Sequence, residues 1–105
     1  MNLDKEISLK QADVFMETCR VDLARHAKLR EEINRGHALI SHLENEVSQL
    51  KARGASLMRI DELERQTLNT RQHVYNLEGE AEGLTNRAEL ALFKAQQALD
   101  EARNI

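Results

Sequence analysis

Four histidines, His26, His37, His42 and His73, are the only side chains of this 105-residue chain that ordinarily titrate near neutrality, and Cys19 is its single thiol. Histidine can act as a general base or, with a second ligand, hold a transition metal. The spacing supports neither role. His37 and His42 stand five positions apart, which on a helix turns them roughly 140° away from each other, so they do not chelate one ion as an i,i+4 pair does. No histidine or aspartate is arranged with Cys19 as a nucleophile's base would be, and its simplest role is that of a small core hydrophobe. No glycine-rich loop cradles a phosphate. Gly79-Glu80-Ala81-Glu82-Gly83 has the GxxxG spacing, but an acidic segment outside lipid does not carry that motif's membrane meaning. The residues imply no enzyme, no cofactor, no metal and no small-molecule substrate.

The elements that position these side chains are two long amphipathic helices. Ile33, Gly36, Ile40, Leu43, Val47 and Leu50 alternate by three and four. They form a heptad seam with Ile33, Ile40 and Val47 at a and Leu43 and Leu50 at d. His26 and Cys19 fall at a, where a polar residue can fix register. Downstream the seam runs Ile60, Leu63, Thr67, Thr70, Val74, Leu77, Ala81, Leu84, Ala88, one residue out of phase with the first. A slip alone is tolerated by a continuous coiled coil. Here it coincides with Arg53-Gly54-Ala55-Ser56. Gly54 suits the left-handed position that ends a helix, Ser56 is a candidate N-cap, and Asp61 and Glu62 add negative charge near the next N-terminus.

The sequence therefore predicts an all-α fold, an antiparallel two-helix coiled-coil hairpin with its turn near Gly54–Ser56. Helix 1 covers about 6–53 and helix 2 about 58–103, in one domain, with a frayed start over residues 1–8. Facing pairs are Ile33 with Leu77, Ile40 with Thr70, Leu43 with Thr67, Val47 with Leu63, and further out Phe15 with Ala95. Residues 20–35 are net basic and residues 75–90 acidic, which suits antiparallel pairing; Arg30 and Glu78, both at e, are a candidate cross-hairpin ion pair. Arms of ~45 residues would each span roughly 65–70 Å.

Composition agrees. Phe15, Phe93 and Tyr75 are the only aromatics, and proline is absent while 31% of residues are charged. A globular core is hard to build from that set, whereas a helical seam needs only aliphatics. A net charge of −3 argues against a general nucleic-acid binder. No apolar run is long enough to enter a membrane. The charged start Met1-Asn2-Leu3-Asp4-Lys5-Glu6 does not read as a signal peptide, and a lone cysteine fits a reducing cytoplasm. A two-helix hairpin buries one stripe per helix, so a partner or self-association is expected.

The pattern changes at the end of the hairpin that carries the termini. There the second seam becomes Ala88, Ala91, Ala95, Ala98 and Ala102, and large apolar residues move to the flanking e row: Leu9, Met16 and Leu23 in helix 1, Leu92 and Leu99 in helix 2. In antiparallel pairs both e rows lie on one side, so these five form one lateral, partner-binding patch. Toward the turn the e row is polar. Val14 and Val21 lie further round helix 1. A second copy and a foreign protein are equally open as occupants.

Three stretches, Leu23-Ala24-Arg25-His26-Ala27-Lys28-Leu29-Arg30, Glu64-Arg65-Gln66-Thr67-Leu68-Asn69-Thr70-Arg71-Gln72 and Ala88-Glu89-Leu90-Ala91-Leu92-Phe93-Lys94-Ala95, set in a basic-then-acidic helical hairpin, carry a resemblance in pattern. The chain resembles the FliJ/YscO type of type III secretion export-stalk protein. That resemblance implies a cytoplasmic hairpin like the coiled coil of a rotary ATPase stalk, docking on the export ATPase and the export gate and handling secretion chaperones. The alternatives are a self-assembling structural coiled coil, as an antiparallel four-helix dimer, and a small nucleic-acid-binding helical bundle.

Overall fold

The computed structural model describes residues 3–105. Two helices, α1 (Leu3–Ala52) and α2 (Leu57–Asn104), run antiparallel as a helical hairpin. The turn is built by glycine and backbone hydrogen bonds. Gly54 takes φ of 69°, where a side chain would be strained. Its N–H donates to the Lys51 carbonyl at 3.2 Å, and the Ala55 N–H donates to that of Leu50 at 3.0 Å. These two bonds make a Schellman motif that satisfies carbonyls the helix end would leave bare. The Ser56 carbonyl then accepts from Arg59 at 3.1 Å and Ile60 at 3.2 Å, opening α2. The first turn of α2 holds no acid, so Asp61 and Glu62 lie beyond the position expected of them. Arg59 sits there instead, against the helix dipole, and is offset by Glu46 at 3.7 Å and Glu62 at 3.5 Å.

The chain divides into two compact units. A turn unit spans Leu29–Glu80, and a terminal unit combines Met1–Lys28 with Ala81–Ile105. In the turn unit large aliphatics make the core. Leu43, Val47, Ile60 and Leu63 form one cluster with Leu50 packed against it, and Ile33, Val74 and Leu77 are buried as well. Thr67 is buried on the same seam and donates its hydroxyl to the Leu63 carbonyl at 2.8 Å. Gly36 and Val74 approach so closely that a methyl group built on Gly36 would overlap the valine's Cγ2. That contact puts Gly36 at d against Val74 at a, which is the expected facing register.

In the terminal unit the seam is thin. Ala12, Ala81, Ala88, Ala91, Ala95, Ala98 and Ala102 are buried with Leu84, and Ser8 and Asp22 join them. α1 is already helical at Leu3 and buried at Ser8, where the sequence suggests a frayed start. The register places Ala102 opposite Ser8, and two small residues there let the backbones pack closely. Met1 and Asn2, which belong to the same expectation, lie outside the described residues. Every buried side chain among the described residues occupies an a or d position.

Candidate protein-interaction surface

Cross-helix contacts outside the seam show how the e rows meet. In the turn unit His37 Nε2 lies 3.3 Å from Glu78 Oε1, Lys51 Nζ lies 3.0 Å from Glu64 Oε1, and Arg71 pairs with Glu44. All six residues are at e. Glu78 is thus held by His37, and the Arg30–Glu78 pair suggested by the sequence is replaced. The reason is geometric. Helical side chains lean toward the N-terminus of their own helix, so in an antiparallel pair the rows lean in opposite directions and e partners meet one heptad away from the simplest alignment. These pairs are about half exposed, so each contributes only ~0–1 kcal/mol. Their effect is to pair six e residues of the turn unit across the helices, while Arg30 and the exposed Leu57, also at e, stand outside these pairs.

The terminal unit has its own markers of register. The Lys94 ammonium lies 5.8 Å from the centroid of the Phe15 ring. Arg87 Nη2 donates to Asp22 Oδ1 at 3.2 Å. Each basic residue at g flanks the alanine that faces the seam residue, so Phe15 faces Ala95 and Asp22 faces Ala88. The e partners follow with the offset seen for His37 and Glu78 about the Gly36–Val74 pair. Leu23 falls across from Leu92, and Met16 across from Leu99. Leu9 continues the same row of α1. Their exposures are 41% for Leu9, 48% for Met16, 51% for Leu23, 47% for Leu92 and 37% for Leu99. The five sequence-picked residues therefore lie on one unit, on the same lateral row of their helices, with water on their apolar side chains.

Burial of this stripe would release apolar area at about 25 cal/mol per Å². On the opposite side of the unit the g rows are polar: Gln11, Thr18 and Arg25 on α1, Arg87, Lys94 and Glu101 on α2.

Further apolar side chains are exposed on the same unit. Ile7, Val14 and Val21 repeat every seven residues at c of α1, and Leu90 and Phe93 are exposed on α2. Val14 and Val21 are legible from the sequence; Ile7 extends their row by the same heptad step, and that step is the signal that finds it.

One buried group escapes a reading by periodicity. Asp22 is 4% exposed, and its second oxygen, Oδ2, is buried with no hydrogen-bond partner. A carboxylate on an alanine seam carries a desolvation cost that its one bond to a largely exposed arginine only partly offsets.

His73 lines an open groove with Glu32, Arg35 and Leu39. His42 Nε2 is 3.9 Å from Glu46, on an exposed surface, and Cys19 is half-buried on the seam. Among the described residues no group of three or more His, Cys, Asp or Glu side chains could hold a metal ion. None of the described helices is long and apolar enough to cross a membrane. On the outer surface of α1, Arg20 grips Glu17 through two bonds, 2.5 and 3.0 Å. These bonds hold the Glu17 carboxyl below its ordinary range and push the Arg20 guanidinium up. No family model, curated protein or solved structure matches the chain.

Proposed function

We propose that this protein is a non-enzymatic, coiled-coil interaction protein that works by offering the lateral face of its terminal unit to a protein partner. The observation that carries the reading is the contrast between the two e faces. In the turn unit three ion pairs cross them, with Arg30 and an exposed Leu57 outside those pairs; in the terminal unit they bear a row of leucine and methionine exposed to water. A seam of alanine lets two helices approach closely, which favours one strip over two separate ridges. Such a strip fits a helical partner, whose own side chains would interdigitate with it.

The more specific form of the reading is a cytoplasmic export stalk or escort of a flagellar or virulence type III secretion system, docking on the export ATPase and on secretion chaperones. It draws on the resemblance in helical pattern and charge layout. A purified export ATPase ring and a secretion chaperone, each immobilised, test it directly. The expected result is retention of the wild-type chain and loss of retention for Leu92→Glu with Leu99→Glu. Equal retention of both chains would place docking elsewhere, and no retention of either would remove the secretion role.

A further inference from the structure

The lateral face carries information about its occupant in the charges that border it. The b positions lie just outside the e row on each helix. Along α1 they read Glu6, Asp13, Arg20 and Ala27, acidic toward the N-terminus and basic beyond. Along α2 they read Glu82, Glu89, Gln96 and Arg103, acidic first and basic toward the C-terminus. The helices are antiparallel, so within the terminal unit Glu6 lies level with Arg103 and Arg20 with Glu89, while Asp13 lies level with Gln96 and Ala27 with Glu82. Arg20 and Arg103 also pair within their own helices, with Glu17 and Asp100. The face is thus apolar along its middle and bears opposite charges on its two edges at two levels, with the signs exchanged between those levels.

We infer that the occupant of this face is a second copy of the same chain, related by a two-fold axis running along the helices. The inference rests on the reading of the face as a docking surface and names its partner. Rotation about that axis lays α1 of one copy beside α2 of the other. Leu23 and Leu92 then meet their own counterparts in a layer of four, and Met16 with Leu99 makes a second such layer. At the edges Arg20 comes level with Glu89 of the other copy, and Glu6 with Arg103. No border position meets a like charge. A two-fold axis across the helices is less well matched. Centred between the two complete layers, it sets Arg20 against Arg20 of the other copy; centred on the Met16 layer, it leaves Leu92 without a mate. A second copy reproduces both the seven-residue steps and the exchanged edge charges by symmetry.

Sedimentation equilibrium of the full-length chain tests the inference, with circular dichroism confirming that each variant keeps its helix content. The wild-type chain should have twice the mass of the 12.0 kDa protomer. Arg20→Glu should weaken the dimer by roughly tenfold or more, and adding Glu89→Arg to it should restore the association. Leu92→Glu with Leu99→Glu should give a monomer. A wild-type monomer at every concentration overturns the second-copy inference and leaves the docking face for a foreign partner. A dimer that survives the double leucine substitution overturns both the inference and the reading of the face. A dimer lost with the leucines, but not restored by Glu89→Arg, overturns the proposed axis.

Discussion

Replacing Asp22 with leucine should raise stability by about 1–3 kcal/mol, because a buried carboxylate with one unpartnered oxygen gives way to apolar contact with the alanine seam. Arg87→Ala should do the opposite, lowering stability by about 1–2 kcal/mol by leaving Asp22 without a cation. Urea denaturation of both variants checks the pair of signs. Glycine gives a second test at this scale. Gly79 has no neighbour within 4 Å of an added methyl group, so Gly79→Ala should stabilise α2 by about 1 kcal/mol through helix propensity. Gly36→Ala gains the same propensity but drives a methyl into buried Val74, and overpacking of ~1–3 kcal/mol should make it net destabilising. The Glu17–Arg20 pair has its own pH signature. Because Glu17 titrates below its ordinary range in the folded chain, its contribution is present above the ordinary carboxylate value and disappears as pH falls through the lowered one. A carboxyl titration followed by nuclear magnetic resonance should show the Glu17 midpoint moving up in Arg20→Gln.

At the scale of the element, the turn rests on one residue. Gly54→Ala places a side chain at φ of 69° and should cost about 1 kcal/mol while leaving the helices in place, which a thermal melt would register. The heptad pattern makes most of this level legible from sequence: the seams name the buried residues of both helices, and the one-residue phase slip at Gly54 locates the reversal. Three features were not legible, each for a physical reason. The pairing of His37 with Glu78, in place of Arg30, depends on the lean of side chains along each helix, which a wheel of positions omits. Asp22 breaks the apolar rule at d, and only the fold brings Arg87 from α2 to its side. The ordered start of α1 follows from small residues, Ser8 facing Ala102, and small side chains carry little hydropathy signal.

The whole molecule has a turn unit whose lateral face is crossed by three ion pairs and a terminal unit that leaves a row of apolar side chains on its lateral face. The first has a core of large aliphatics. The second has mostly alanine within and leucine and methionine outside, an inversion of the usual arrangement that makes sense when the outer residues are to be covered. The candidate surface was legible because its five residues repeat at heptad spacing on the same row. Its bordering charges gain meaning only once the register sets the two helices level. The most direct test of the central claim is molar mass by light scattering on a sizing column, for the wild-type chain and for Leu92→Glu with Leu99→Glu. A wild-type dimer and a variant at the protomer mass of 12.0 kDa are the result expected. An assembly of equal mass in both would contradict the claim that this face is where the protein makes its contacts.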